Sequence, residues 1–462
     1  MIEVINPATE RIIAHLQPAD EKQVDAAVEA AERALSGPWS KLSPRERGKI
    51  LFRIAEEIRK NKEALAQLET GNTGKPIRDS RDEVDLAANC FEYYGGAVTK
   101  FYGEVNPVAA KGLSVTLKEP IGVCALIVPW NYPLVIACWK LAPALACGNT
   151  IVLKPASWTP LTAIELGKIC LKAGVPEGVV HVLVGPGRTV GHRLVSHPKV
   201  AKISLTGETE TGKEILRIAA GTLKRVSLEL GGKSPNIVFD DVDVETVVNG
   251  SVFSVFSNCG QDCCARSRFI IHKKIYDRFL DALVKRSKAI KVGDPLDEKT
   301  EVGPMISAAQ RQTVLNYVAA GQKEKAKLCC GGTIPAAGNG KTKGYYILPA
   351  VFADAKPKMT IVQEEIFGPV VAVLPFSNEE EAVTLANDTM YGLSGSLWTR
   401  DLGRAIRVAK AVKTGVLSVN SSSSVFLESP FGGYKQSGLG RELGMKALDG
   451  YSETKAVFFS EI

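Results

Sequence analysis

Histidine is scarce in this sequence, with five in 462 residues. His15, His181, His192, His197 and His272 show no pairing with cysteines of the kind that holds zinc, so no metal site is expected. Basic runs are missing as well. The net charge of +7 is spread along the chain without a Lys/Arg tract, so the footprint of a nucleic-acid binder is absent. No apolar stretch reaches the roughly 18 residues that cross a bilayer. The longest, "IGVCALIVPW" from Ile121, breaks at Pro129 and reads as a buried strand. The N-terminal "MIEVINPATERIIAHL" mixes Glu3, Glu10 and Arg11 into its apolar residues and does not read as a secretory signal. Ten cysteines are scattered through apolar segments, and with no such signal a reducing compartment, the cytoplasm, is expected. There is no internal repeat and no low-complexity tract.

What is present is ordinary globular material, 45% hydrophobic and 23% charged. The length exceeds what one core supports, so two or three domains are expected. Residues 20–70 read as amphipathic helices. "DEKQVDAAVEAAERAL" puts Val24, Ala27, Val28 and Ala31 on one face, and Ser43 with Pro44 forms the N-cap and first turn of the next helical pattern. From residue 121 short continuous apolar strands alternate with helices: "GVCALIVPW", "LVIACWKLAPALACG", "TIVLKPA", "TPLTAIELGKICLKAG", "VVHVLVG" and "KVAKISLTG". That texture predicts βαβ units and a parallel, doubly wound sheet. A second alternation, from "SPNIVFD" to "TGVLSVN", predicts a second α/β domain.

Four stretches carry candidate chemistry, each with an ordinary structural alternative. "SLTGETETGKEI" follows a strand and opens a helix, with Gly207 and Gly212 spaced G-x4-G. A small residue there lets a pyrophosphate approach the helix N-terminus, and a plain strand–helix turn fits equally. Lys154 in "VLKPAS" ends a strand, where it can bond ribose hydroxyls or simply be solvated. Glu229 in "SLELGGKSP" lies between two leucines and ahead of Gly231-Gly232; it is a strand's solvent-facing residue or a desolvated base. In "NCGQDCCARSR" a vicinal Cys263–Cys264 disulfide would be strained. A nucleophilic thiolate and a buried structural cysteine both remain, the second being the commoner use of the residue.

Taken together, "PWNYPL", "LKPAS", "LTGETETG", "LELGGKSPNIVFDD", "GQDCCARSR", "QEEIFGPVVAV" and "SPFGGYKQSGLGRELG" resemble the aldehyde dehydrogenase superfamily in order and spacing. The resemblance runs from "VINPATE" to "SETKAVFF". It implies an α/β fold: a Rossmann-like cofactor domain at 1–97 and 121–231, an α/β catalytic domain at 232–445, and bridging oligomerisation strands at 98–120 and 446–462. In the family such strands cross to a neighbouring subunit, so a homodimer or homotetramer is expected. The family's G-Q-x-C pattern implies that Cys263 is the nucleophile. Asn131 matches the oxyanion donor and Glu229 the general base. Lys140 and Glu442 match proton-relaying residues, although a structural ion pair or a solvated charge fits them as well.

The implied cofactor is NAD, bound by Val128, Pro129, Trp130, Lys154, Ser157, Gly207, Glu208, Gly212, Leu230, Gly231, Glu365 and Phe367. Ser157 stands where many NAD-preferring members carry a glutamate that would repel a 2′-phosphate, so NADP is admissible too. Glu208 stands where the family usually has serine, and a carboxylate beside a pyrophosphate is unfavourable unless it turns outward. The substrate mouth is expected at Tyr132, Ile136, Trp139, Phe256, Asp262 and Phe426 of the "SSSSVFLES" loop. Aromatic rings plus one acid suit a cationic head group, and the chain looks most like the betaine-aldehyde and aminoaldehyde branch. A broad-specificity enzyme for apolar aldehydes is the alternative, with succinate semialdehyde behind it. Outside this chemistry stand a CoA-acylating dehydrogenase and a non-catalytic structural relative.

Overall fold

A computed structural model describes residues 1–336, 343–423 and 425–461. The chain opens with a hairpin that the sequence reading did not single out, Ile2–Asn6 against Arg11–Leu16. Helix Glu21–Ala34 follows, started by Asp20 accepting from the Gln23 N–H, and it buries the expected Val24, Ala27, Val28 and Ala31. Ser43 caps Pro44–Lys60 by accepting from the Glu46 N–H, with Pro44 in the first turn. The helical pattern then breaks at Asn61, whose side chain donates to the Glu57 carbonyl at 2.7 Å. Helix Lys62–Thr73 ends at Gly74, where φ is 83°.

The first sheet has six strands, in the spatial order Gly438–Leu439, Arg225–Glu229, Val200–Thr206, Val123–Ile127, Thr150–Lys154, Val180–Val182. The last five are parallel, as expected. Their chain order reverses at Val123–Ile127, and in such sheets ligands bind beyond the carboxyl ends at that switch. Helix Pro133–Ala146 follows directly, buried on nearly every side. The second sheet has seven strands, ordered Lys327–Cys330, Ala350–Ala353, Val370–Phe376, Arg268–His272, Pro235–Val238, Ser396–Trp398, Ser418–Val419.

Neither sheet is wholly parallel. Lys327–Cys330 runs antiparallel at one edge of the second. Gly438–Leu439, from the far end of the chain, runs antiparallel along Arg225–Glu229 in the first. This return covers the edge of the strand that ends in Glu229 and carries the following "GRELG" against it. A third sheet joins Ser452–Ser460, Gly112–Pro120 and Val105–Asn106, all antiparallel. Among the described residues no helix is long and apolar enough to cross a membrane.

Candidate active site

The carboxyl ends of Val123–Ile127 and Val200–Thr206 open on a cavity of about 360 Å³ lined by Pro129, Trp130, Asn131, Gly207, Glu208, Leu230, Gly231, Cys263, Glu365 and Phe367 among others. This is the switch point of the first sheet. A second cavity, about 330 Å³, lies at the ends of neighbouring strands and is lined by Lys154, Arg188, Gly191, His192 and Leu205, with Ile215 of the following helix.

Cys263 reaches the first cavity from an irregular loop. Helix Phe253–Phe256 gives way to three successive left-handed residues, Asn258 (φ 48°), Cys259 (φ 56°) and Gly260 (φ 69°). Non-glycine residues adopt that conformation only when their surroundings impose it. Here Gln261 imposes it: its amide donates to the Asn258 carbonyl at 3.0 Å and its oxygen accepts from the Ile306 N–H at 2.8 Å. Gly260 has no freedom to be anything else, since a Cβ there would stand 2.2 Å from the Gly368 carbonyl oxygen. The loop is fastened to "PWNYPL" through Asn258, which donates to the Asn131 carbonyl at 3.0 Å, and Asn131, which donates to the Gln261 carbonyl at 3.0 Å. That leaves Asn131 a second amide hydrogen, and its buried oxygen has no partner.

The three cysteines of this loop are placed differently. Cys263 is half-buried and lines the cavity. Cys259 lies in the core of the second sheet, and burial pushes its thiol far up. Cys264 packs with Leu393, Phe431 and Leu443. The Cys263 thiol is itself raised well above its ordinary value, first by its hydrogen bond with Cys264 and then by burial, Asp262 and Glu365. Asp262 folds back on its own loop, its carboxylate accepting from the Cys264 N–H at 2.8 Å. Asp262, Cys263 and Cys264 offer three ligand atoms within 4.8 Å of one another. They come from consecutive residues of one turn, and a closed zinc site takes four ligands, so the set does not fit a resident structural metal.

Glu229 ends its strand 3% exposed, with neither carboxylate oxygen partnered. Gly432 packs so closely that a Cβ there would be 2.7 Å from one of those oxygens. Burial raises the carboxyl well above the usual range and Glu442 raises it further, with Lys140 and Arg441 opposing. Lys140 pairs with Glu442, and both bond Ser204: Lys140 donates to its hydroxyl at 3.1 Å, and the hydroxyl donates to Glu442 at 3.2 Å. The chain between the sheets runs beneath Cys263. A Cβ on Gly232 would meet the Cys263 carbonyl oxygen at 2.3 Å, and one on Gly231 would meet the Glu365 carboxylate at 2.1 Å. Glu365 accepts from the Gly232 N–H at 3.0 Å, and burial pushes it up to about 7.

At the cofactor positions, burial pulls Lys154 down to about 8, and it donates to the Pro155 carbonyl at 3.2 Å. Val128 is buried beside it, its N–H donating to the Lys154 carbonyl at 3.1 Å. Ser157 donates to the Gly185 carbonyl at 3.0 Å. Glu208, the N-cap of Thr209–Ala220, makes no capping bond and is solvent-exposed where it lines the cavity. Gly212 lies under Leu230, where a Cβ would come within 2.7 Å. Phe367 meets Trp130 edge-on at 5.1 Å.

The expected substrate mouth needs correction. Phe256 is fully buried in the core of the second sheet, and Ile136, 3% exposed, is packed in the core of the first. Both belong to helices whose apolar faces turn inward. Tyr132 and Trp139 are partly buried, with Lys75 Nζ 4.3 Å from the Tyr132 ring centroid and Trp139 5.5 Å from Phe431. Phe426 is 54% exposed, and Ser424 of its loop lies outside the described residues. The sequence reading missed Phe431, the 310–317 helix face (Gln310, Thr313, Tyr317) and Arg188. The spacing of that helix face is visible in the sequence, but its direction is not.

The aldehyde dehydrogenase family model matches residues 1–457. Betaine aldehyde dehydrogenase of Bacillus subtilis (strain 168) is 47% identical over 458 residues, 98% of this chain and 93% of the relative. Mitochondrial aldehyde dehydrogenase of Homo sapiens is 43% identical over 458 residues, 98% of this chain and 87% of the relative. The structure of the Bacillus cereus aldehyde dehydrogenase in complex with NAD+ superposes with a TM-score of 0.97 at 43% identity, covering 100% of this chain and 93% of that one. The site is thus that of a nicotinamide-dependent oxidoreductase. The chain belongs to the aldehyde dehydrogenase family.

Proposed function

We propose that the protein oxidises an aldehyde bearing a positively charged amine or trimethylammonium group to its carboxylic acid, with Cys263 as nucleophile and Glu229 as general base. The observation that carries the catalytic assignment is the convergence of Cys263, Asn131 and Glu365 on the cavity at the sheet's switch point, where Cys263 is the only cysteine of its loop to reach the wall. The cavities fit NAD: a helix N-terminus at Thr209, glycines in place of side chains at 207 and 231, and Lys154 and Glu365 at opposite ends. When bound, that cofactor accepts the hydride.

The Cys263 thiol gives up its proton to water in the cavity, and the resulting thiolate adds to the aldehyde carbon, the carbonyl electrons moving to oxygen. The spare Asn131 amide hydrogen and the Cys263 N–H face the developing oxyanion, a donor of this kind being worth about 3 kcal/mol. After hydride loss the thioester on Cys263 is cleaved by water, whose proton passes to Glu229 as the thiolate leaves. Lys140 and Glu442 receive it next. Ser157, with Arg188 and Lys154 lining the neighbouring cavity, also admits the 2′-phosphate of NADP.

The charged substrate class rests on Asp262, whose carboxylate lies within 4.8 Å of the Cys263 sulfur, and on the aromatic Tyr132 and Trp139. A second reading, neutral apolar aldehydes, is favoured by the apolar packing of Trp139, Leu393, Phe431 and Leu443 around Cys263 and Cys264. An NAD(P)H-absorbance screen over betaine aldehyde, 4-aminobutanal, hexanal and succinate semialdehyde, with both cofactors, separates them. A cationic substrate is expected to have the highest kcat/KM; if hexanal leads, the charged class is wrong.

We further infer division into the cofactor, catalytic and bridging parts given above, and association of subunits through the third sheet. Leu113, Leu117, Phe458 and Phe459 of that sheet are each 44–56% exposed, an apolar surface suited to a second copy of the chain. The ten cysteines are all free, which suits a reducing cytoplasm.

A further inference from the structure

The helix that follows Asn131 begins with an unusual cap. Tyr132 is the N-cap residue of Pro133–Ala146 and makes no side-chain capping bond. Serine, aspartate or asparagine usually stands at such a position, because its oxygen accepts from the free N–H groups of the first turn. A tyrosine offers no acceptor within that reach. Its ring goes elsewhere. Burial raises the Tyr132 hydroxyl well above its ordinary value, and Asp262, Asp79, Glu83 and Cys263 add to the effect, so the phenol stands among the groups of the site.

The missing cap comes from another helix. Glu83, buried on Ile77–Ala97, accepts from the Val135 N–H at 3.1 Å. A carboxylate at that place also suits the positive end of the helix. Glu83 pairs in turn with Lys75, from the turn ahead of its own helix. The Lys75 ammonium lies 4.3 Å from the centroid of the Tyr132 ring, within the range of a cation–π contact. It is 3.6 Å from Glu69, whose other oxygen accepts from the Thr162 hydroxyl at 2.7 Å. Burial and then Glu83 push Glu69 up to about 8, so near neutral pH it keeps its proton and Glu83 alone balances Lys75. Lys75, Glu69 and Glu83 are each at most 3% exposed. A buried ion pair rarely gains stability over apolar packing of the same shape, so stability does not account for this one.

What the pair holds is the corner at Asn131 and Tyr132. The corner is fastened twice. The cysteine loop holds Asn131 itself, through Asn258 and the Gln261 carbonyl. Lys75 and Glu83 hold the residues just after it, through the Tyr132 ring and the Val135 N–H. We propose that Lys75 and Glu83 are positioning residues for the oxyanion donor: together they fix the first turn of Pro133–Ala146 and so aim the spare amide hydrogen of Asn131. The proposal rests on Asn131 acting as that donor. Neither Lys75 nor Glu83 lines the two cofactor cavities. They act through the corner, and a donor displaced by a fraction of an ångström loses much of its effect.

The test is the burst of NADH formation, followed by stopped flow with betaine aldehyde and with hexanal, in Lys75→Met combined with Glu83→Gln. Removing both charges together leaves neither buried alone. The burst is expected at full amplitude, with its rate constant lowered about tenfold and NAD affinity unchanged. Asn131→Ala should cost about 10²–10³-fold in the otherwise unmodified enzyme. In the paired variant it is expected to cost about fivefold less or lower still, because a donor already out of place has less to lose. Glu83→Leu is the second variant, in case the pair folds poorly. There Glu69 can ionise beside Lys75, while the Val135 N–H loses its acceptor, and the burst rate constant is expected to fall about threefold or more. A rate constant within about twofold of the unmodified enzyme's in either variant overturns the proposal. A lower amplitude at the normal rate constant marks a merely structural role and also overturns it, as does a full Asn131→Ala cost in the paired variant. If Asn131→Ala leaves the burst of the otherwise unmodified enzyme intact, the donor assignment itself fails, whatever Lys75 and Glu83 do.

Discussion

Glu229 and Cys263 are carried by opposite kinds of backbone. Glu229 is the last residue of a regular strand in the first sheet, and its direction follows from simple alternation. Cys263 stands in a loop of the second sheet, behind three left-handed residues held by Gln261 and Asn131. The strand supplies a carboxyl whose chemistry comes from burial. The loop supplies a sulfur whose position comes from strain and a few hydrogen bonds. A regular element sets an environment cheaply, whereas placing one atom at the mouth of a cavity takes an irregular one.

The largest expected effect separates the cysteines. Cys263→Ala should lower turnover by at least about 10⁴-fold while cofactor still binds, and Cys264→Ala should keep a measurable rate. Activity in Cys263→Ala with loss in Cys264→Ala would reverse the two roles.

Next comes the strand end. Glu229→Gln should cut the steady rate by about 10²–10⁴-fold with the burst preserved. The base works as its carboxylate, and its pKa is raised, so thioester hydrolysis should climb as pH rises through that value and flatten in the glutamine variant. The same raised value predicts a stability effect: the folded state keeps the proton, the unfolded chain loses it near 4.5, and stability falls as pH rises between the two. Glu229→Gln should lose that slope in Tm against pH.

Gly260→Ala tests the loop alone. The left-handed φ of 69° and the Gly368 carbonyl oppose a side chain, so the variant should lose about 1–3 kcal/mol in stability and drop in kcat. An unchanged Tm would mean that the loop is softer than its hydrogen bonds imply. The smallest effect is expected far from both regions. Ser157→Glu should lower kcat/KM for NADP roughly tenfold and spare NAD.

Much of the frame was legible. Continuous apolar runs such as Val123–Ile127 and Thr150–Lys154 announced a parallel sheet, and Ser43-Pro44 announced a helix start. The antiparallel return of Gly438–Leu439 was not legible, because a two-residue strand has no periodicity. Phe256 and Ile136 were misplaced for a related reason: an aromatic or aliphatic residue near a motif looks the same in sequence whether its helix faces core or cavity. The direction of Asp262 was also hidden, since the bond from the Cys264 N–H depends on how the turn closes.

By itself the sequence determined the α/β class, the family, and the spacing that distinguishes Cys263 from its neighbours, because these rest on local pattern and residue order. Only the tertiary structure decided that Asn131 and Cys263 line one cavity, that Glu442 pairs with Lys140, and that Glu229 sits buried without a hydrogen-bond partner. Those properties arise from desolvation and from contacts between residues far apart in the chain. Lys140 and Glu442, 302 positions apart, form one ion pair, and no local pattern records such a pairing.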